Sequence, residues 1–124
     1  EFTITGVSWP TRDGSGIRDY IHVDDVASGM LAALQMGKVG EIYNIGTSIG
    51  RSNLEIVGFL RQLAVADGIQ LKVEQLPARG FDVPSNVLSY EKLFAQTGWS
   101  PKEHFEERVA EMWSAMKASF ASNG

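Results

Sequence analysis

The chain has 124 residues, of which 44% are hydrophobic and 21% are charged; this suffices for one compact domain with a packed core and excludes a disordered chain. Its net charge of −4 disfavours nucleic acid as the main partner, and the absence of cysteine excludes disulfides and cysteine-ligated metals. No apolar run approaches the ~20 residues of a membrane span and no secretion signal is visible, so we expect a soluble cytoplasmic protein.

The first elements lead towards a strand that is followed at once by a helix. Residues 2–6 alternate as a short strand, and residues 7–16 form a turn-rich loop in which Arg12 is well placed to meet a phosphate. After the charge pair Arg18-Asp19, residues 20–23 favour an extended chain through aromatic and β-branched side chains. A helix follows, capped by the acidic pair Asp24-Asp25, and its predicted apolar side chains are Val26, Met30, Ala33 and Leu34.

The middle of the chain predicts a strand, a second helix and another strand. Residues 41–46 read as a strand stopped by glycine, and residues 47–51 read as a turn. Ser52 and Glu55 have the spacing of a capping box at the start of the second helix. Its apolar positions are Leu54, Ile56, Val57, Phe59, Leu60, Leu63 and Ala64. In residues 71–76 apolar and polar side chains alternate, which predicts a strand with one solvent-exposed face.

The last third predicts an irregular segment and two helices. Residues 78–89 are polar and contain proline, residues 90–97 form a short helix stopped by Gly98, and residues 104–121 form the last helix. The apolar side of that helix, like Trp99, is expected to join the core; its members are Phe105, Val109, Met112, Trp113, Met116 and Phe120. The sequence thus predicts a mixed α/β (α+β) unit of about three short strands and four helices.

Two motifs make the chain recognisable. The stretch TRDGSGIRDYIHVDDVASGMLAAL, followed by GEIYNIGT, resembles the C-terminal, substrate-binding part of the UDP-glucose 4-epimerases and of the wider NAD-dependent epimerase/dehydratase family, the extended short-chain dehydrogenases. The resemblance covers nearly the whole chain but only part of the family's length. It implies a single domain, residues 1–124, that corresponds to the nucleotide-sugar-binding part and lacks the Rossmann half that binds NAD.

The resemblance also implies three substrate-binding residues. In the family, the arginine that matches Arg18 contacts the pyrophosphate of the nucleotide sugar, which suits the planar guanidinium fork. The arginine that matches Arg79 holds the diphosphate, and the aspartate that matches Asp82 accepts hydrogen bonds from the ribose hydroxyls. The two residues between them, Gly80 and Phe81, depart from the usual Arg-Pro-Gly-Asp. The competing interpretation of Arg18 is a local ion pair with Asp19 or Asp13.

Other polar residues receive structural interpretations. We interpret His22 as a packed or hydrogen-bonded residue, His104 as solvated, and the pair Asp24-Asp25 as a helix cap and not a metal site. Ser89 stands where the family carries a helix-capping aspartate. Lys92 is given no function.

The sequence contains neither a Gly-x-x-Gly-x-x-Gly loop nor a Tyr-x-x-x-Lys pair, since none of its three tyrosines has a lysine four residues later. We therefore expect no catalytic residue, no metal and no cofactor in this chain, although the full-length family uses NAD. The expected function is that of a truncated nucleotide-sugar epimerase homologue, inactive alone, which binds a nucleotide diphosphate or UDP-sugar weakly. The expected partner in assembly is a second copy of the chain or a dinucleotide-binding domain.

Two alternatives stay open. The chain is either an interaction or oligomerisation module that kept the fold and lost ligand binding, or an excised fragment of an intact NAD-dependent UDP-glucose 4-epimerase.

Overall fold

The computed structural model describes residues 1–122, with side chains described up to residue 119. The described residues form five short strands and four helices, so the predicted mixed α/β class and its four helices are confirmed, with five strands in place of about three. They follow one another in the order β1 (Phe2–Thr5), β2 (Ile17–Asp19), α1 (Val23–Met36), β3 (Gly50–Ser52), α2 (Asn53–Ala66), β4 (Val73–Leu76), β5 (Ser85–Asn86), α3 (Glu91–Thr97) and α4 (Phe105–Ser122).

The strands form two small sheets. In one, β1 and β4 run parallel, with Phe2 opposite Val73 and Thr5 opposite Leu76. In the other, β2 is the central strand: it pairs antiparallel with β3 and parallel with β5. Strand β2 therefore brings the start of α2 and the segment before α3 to the same place.

Two groups of buried side chains hold these elements together. Leu93 of α3 and Trp99 pack with Ala32 of α1, and the partly buried Ile21, Ala33, Tyr43, Ile45 and Tyr90 surround them. The second group comprises Ile4 of β1 and the buried face of α2, which is Ile56, Val57 and Ala64. The predicted burial of Trp99 and of one face of α2 is confirmed.

The helix ends match the sequence at three points. Ser52 accepts the amide of Glu55 while the Glu55 carboxylate accepts the amide of Ser52, so the predicted capping box is present. Helix α3 ends at Gly98 with a φ of 74°, a conformation that favours glycine. Ser89 accepts the Glu91 amide at 3.2 Å, in line with its predicted capping role, although Tyr90 occupies the cap position itself.

The cap of α1 differs from the prediction. His22, and not Asp24 or Asp25, is the N-cap residue, and its Nδ1 accepts the Asp24 amide at 3.2 Å. The two aspartates follow the cap in the first turn of the helix, where an acid still suits the positive end of the helix dipole. Asp25 is buried and binds the amides of Lys102 and Glu103, so it joins α1 to the loop before α4.

The predicted strand 41–46 is absent from the described residues, and two strands appear where none was predicted. No backbone hydrogen bond of the described residues involves residues 42–46, so this β-rich segment has no ladder partner there. Conversely, β3 begins within the predicted turn 47–51 and β5 lies inside the predicted irregular segment 78–89, because β2 supplies both with a partner.

Two predicted apolar faces are partly exposed. Met30 and Leu34 of α1 face solvent, as do Met112 and Met116 of α4. Glycine and alanine make the buried contact of α1 instead: a Cβ on Gly29 would lie 3.1 Å from the ring of Trp99. The side chain of Phe120 lies outside the described residues. None of the described helices is long and apolar enough to cross a membrane.

Candidate functional site

Arg18 lies on the central strand β2 as a half-buried cation without an acidic partner. Its Nη1 donates to the carbonyl of Ile17 at 2.7 Å, and none of the carboxylates in residues 1–122 lies within ion-pairing distance of its guanidinium. The competing interpretation, an ion pair with Asp19 or Asp13, is therefore wrong. The Arg18 guanidinium keeps donors that an anionic ligand could use.

Both aspartates near Arg18 bind other groups. Asp13 accepts the amide and hydroxyl of Ser15 and the hydroxyl of Ser52, which fastens the loop 11–16 to the start of α2. Asp19 accepts the amide of Thr47 at 2.9 Å, the hydroxyl of Thr47 at 2.5 Å and the amide of Leu88 at 3.3 Å. Neither carboxylate therefore neutralises the guanidinium.

Arg79 and Asp82 form a bidentate ion pair on the loop before β5. Arg79 Nε lies 3.1 Å from one carboxylate oxygen of Asp82, and Nη2 lies 3.0 Å from the other. The Arg79 side chain is 58% exposed and that of Asp82 only 13% exposed. The Arg79 guanidinium also lies over the exposed ring of Phe81, at 4.9 Å from its centre.

The pKa of Asp82, in this loop, is influenced by the charge of Arg18 on β2. The pKa of Asp82 is lowered, chiefly by its hydrogen bond from Arg79, and the positive charge of Arg18 contributes in the same direction. The backbone explains this proximity, because the amide of Ile17 donates to the carbonyl of Pro84 at 2.9 Å and Asn86 pairs with Arg18 in the parallel ladder. The structure thus brings the three predicted residues into one neighbourhood; their role in binding substrate stays a prediction.

Arg12, the other predicted phosphate contact, is engaged elsewhere. It donates to both carboxylate oxygens of Glu55 and to the carbonyl of Gly50, so it closes the loop 11–16 against α2. The pKa of Glu55 is lowered first by this hydrogen bond. The Arg12 guanidinium is therefore directed at protein groups and not at a free anion.

The remaining polar residues are structural in this arrangement. His22 is the α1 cap already described, and His104 is exposed, as predicted. Lys92 pairs with Glu41 at 2.7 Å. No cluster of histidine, aspartate and glutamate among the described residues could hold a metal ion.

Two of the cavities lie between α2 and the start of α4. One of about 350 Å³ is bordered by Phe59, Phe105 and Arg51, and one of about 290 Å³ is bordered by Leu60, Val109 and Tyr20. Arg18, Arg79 and Asp82 line neither of the two.

Asp19 is the residue of this region that the sequence interpretation missed. Its carboxylate joins three parts of the chain, and the close approach needs glycine at position 46. A Cβ there would lie 2.6 Å from Asp19 Oδ2 and 2.7 Å from the Cβ of Leu88.

The architecture is that of the epimerases built on the short-chain dehydrogenase fold. A UDP-glucose 4-epimerase from Stenotrophomonas maltophila, solved with bound NAD and formylated UDP-arabinopyranose, superposes with a TM-score of 0.81 and 28% identity; the match covers 98% of this chain and 36% of that one. The enzyme from Thermotoga maritima, solved with UDP-glucose, gives 0.80 and 30% identity over 97% of this chain and 36% of its own.

Sequence comparison points to the same family. Residues 2–46 match the profile of the NAD dependent epimerase/dehydratase family. UDP-glucose 4-epimerase 3 of Oryza sativa subsp. japonica is 36% identical over 94% of this chain and 32% of its own length. The predicted kinship with the UDP-glucose 4-epimerases of this family is confirmed, and the chain spans about a third of the length of the curated relatives that it matches.

Proposed function

We propose that this chain provides the diphosphate-holding part of a UDP-sugar site. Arg18 and Arg79 bind the two phosphates, and Asp82 accepts hydrogen bonds from the ribose hydroxyls. The observation that carries the proposal is Arg18: a half-buried cation without a carboxylate partner among residues 1–122, within the electrostatic reach of Asp82. The relatives solved with UDP-glucose and with formylated UDP-arabinopyranose support the choice of ligand.

The existing Arg79–Asp82 pair is compatible with this role. A carboxylate has about four lone-pair sites, so Asp82 can accept from a ribose hydroxyl while it still holds the Arg79 fork. Because Arg79 is largely exposed, its remaining donors can reach a phosphate. Charge-assisted hydrogen bonds contribute roughly 1.5–3 kcal/mol each. At the lower value, two arginines and one aspartate give about 4.5 kcal/mol, which corresponds to an affinity for UDP of about millimolar.

We further propose that these 124 residues alone do not catalyse epimerisation. The hydride acceptor of the family is NAD, and the residues described here do not fit its pyrophosphate. The first turns of the helices carry acids, which repel an anion: Asp24 and Asp25 in α1, Glu55 in α2, Glu91 in α3, and Glu106 and Glu107 in α4. In this proposal the chain contributes substrate binding, and catalysis needs a dinucleotide-binding domain.

Replacing Arg18 by alanine is expected to weaken UDP binding by about tenfold or more, because one charged contact to the diphosphate is lost. Isothermal titration of the parent chain with UDP and with UDP-glucose, up to millimolar ligand, measures this. Arg61→Ala is the matched control, since Arg61 is an exposed arginine of α2 and should leave the affinity unchanged. A parent chain that produces no binding heat refutes the proposal, and so does an equal loss in both variants.

A second candidate function, an association module, is favoured by a different observation. The face of α1 formed by Val23, Met30, Leu31 and Leu34 is exposed, and Leu34 is 82% exposed. The β-rich segment 42–46, which follows this helix in the chain, has no backbone partner among the described residues. An uncovered apolar helix face beside an unpaired β-rich segment is the surface that pairs with another sheet.

If this surface mediates association, the parent chain is expected to form a dimer or larger oligomer, and Leu34→Glu is expected to yield a monomer, because a buried unpaired carboxylate opposes the contact. Light scattering coupled to size-exclusion chromatography measures the mass. Val65→Glu adds the same charge to an exposed apolar position of α2 and should leave the oligomer intact. A monomeric parent chain counts against the self-association.

A further inference from the structure

Arg51, on strand β3, is a mostly buried arginine with few partners. Its side chain is 21% exposed, and within residues 1–122 its guanidinium makes a single hydrogen bond, from Nη2 to Glu106 Oε1 at the long distance of 3.4 Å. The ring of Phe105 lies against one face of the guanidinium, with 4.4 Å between Cζ and the ring centre. Stacking on a ring leaves the N–H groups at the edge of the guanidinium free, so Arg51 keeps several unused donors.

Arg51 borders a cavity of about 270 Å³ whose walls include the rings of Tyr20, Tyr90 and Phe105. The other residues around it come from the ends of β2 and β3 and from the loop before α4. Packing holds the rings in place: Tyr20 meets Phe105 edge to face at 5.9 Å, and Tyr90 meets Trp99 in the same way at 5.9 Å. A concave site with aromatic walls and a few polar groups is the usual form of a small-molecule site.

The charge around this cavity favours an anion. Lys102 and His104 also border it, and the Lys102 ammonium has no ion-pair partner in the part of the chain that the structure describes. Of the two glutamates at the border, Glu103 is already neutralised by an arginine of α4, and Glu106 makes only the long contact described above. The positive charges of the cavity are therefore less well paired than its negative ones.

The adjoining cavity of about 350 Å³ suits an anion less well, although Arg51 and Phe105 border it too. Its second arginine, Arg12, already binds both carboxylate oxygens of Glu55. Among the residues that border this cavity, Arg51 is thus the only cation left for a ligand.

We propose that the cavity of about 270 Å³ binds a small aromatic carboxylate. The planar carboxylate matches two parallel N–H groups of Arg51, Lys102 adds positive charge, and the ring of the ligand packs against the aromatic walls. The volume is at the lower end of small-molecule sites and limits the ligand to about one ring. This site goes beyond the proposed UDP-sugar role, since Arg18, Arg79 and Asp82 do not border the cavity.

Titration of the isotope-labelled chain with benzoate, followed by amide NMR, tests the proposal. We expect saturable shifts concentrated in residues 47–51 and 101–106, with a dissociation constant on the order of millimolar for so small a ligand. Cyclohexanecarboxylate keeps the charge without the aromatic ring, and benzyl alcohol keeps the ring without the charge. Each should bind at least about fivefold more weakly than benzoate, because each lacks one of the two interactions.

Two variants should change the benzoate affinity in opposite directions. Arg51→Met keeps a long side chain over Phe105 but removes the donors, and should weaken binding about tenfold. Glu106→Gln should tighten binding about twofold to threefold, because a carboxylate that repels the ligand and competes for Arg51 is removed. Arg61→Met, at an exposed arginine of α2, is the matched control and should leave the affinity unchanged.

The proposal is overturned by a chain that shows no saturable benzoate shifts in residues 47–51 and 101–106, or by equal binding of benzoate and its two analogues. It is also overturned if Arg18→Ala weakens benzoate binding as much as Arg51→Met, since the probe would then occupy the proposed diphosphate site. Should Arg51→Met fail to fold, the exposed Lys102→Met, expected to weaken binding about threefold, and Glu106→Gln decide the question. A failure of UDP to bind leaves these comparisons unaffected.

Discussion

Leu93→Ala is expected to lower the free energy of unfolding by about 2–5 kcal/mol, the usual cost of a large cavity in a core. Leu93 is completely buried in α3 and packs between Ala32 of α1 and Trp99. Ala32 is small and Trp99 is fixed by a hydrogen bond from its Nε1 to Ser28, so these neighbours cannot collapse into the vacated space. A loss of this size is a large fraction of the 5–15 kcal/mol typical of a domain.

Urea unfolding measured by tryptophan fluorescence and by circular dichroism tests this, and Leu34→Ala is the matched control. Leu34 undergoes the same chemical change in a helix but is 82% exposed, so its effect should stay within about 0.5 kcal/mol. Equal effects of the two substitutions would mean that α3 does not pack against α1 as described. If the chain dimerises through α1, Leu34→Ala would lower the free energy of unfolding by more than this. A dependence of that free energy on protein concentration identifies this case.

Local signals predicted the helices of this chain well. Ser52 and Glu55 satisfy one another within a single turn, and Gly98 needs only its own backbone conformation, so both features are visible over a few residues. The acidic pair at 24–25 misled the interpretation of α1 because a neighbouring histidine side chain can also accept the first amide. Local sequence located this helix but did not identify its cap.

Strand pairing was predicted less well, because a strand depends on a partner that lies far away in the sequence. Residues 41–46 have the right side chains but no partner among the described residues, whereas Gly50–Ser52 and Ser85–Asn86 have poor strand signals and become strands beside β2. The neighbour of a strand, and not its own composition, decided all three cases.

In the candidate site, too, short motifs were recognised from the sequence whereas long-range contacts were not. Arg18, Arg79 and Asp82 were identified from their likeness to a family motif, and the structure places them near one another through β5, a two-residue strand that the sequence did not predict. Asp19 was considered only as an ion-pair partner of Arg18. Its actual contacts, Thr47 and Leu88, lie 28 and 69 residues away, a separation at which single-sequence reasoning has no signal.

Asp25→Ala is expected to cost about 2–4 kcal/mol of unfolding free energy, although it removes a charged residue of the kind usually found on the surface. The residue is only 4% exposed, and its two oxygens accept the amides of Lys102 and Glu103 at 2.9 and 3.0 Å. Alanine leaves both amides without their partner, and each unsatisfied donor costs about 1–3 kcal/mol where water is excluded. These bonds also tie α1 to the segment that starts α4.

Asp24→Ala separates this effect from helix electrostatics. Asp24 is the preceding residue in the same first turn, carries the same charge and feels the same helix dipole, but its side chain is 69% exposed. Its loss should cost about 0.3–1 kcal/mol, the usual contribution of an acid near a helix start. A cost of Asp25→Ala no larger than that of Asp24→Ala would show that the loop 101–104 is held to α1 by something other than this carboxylate.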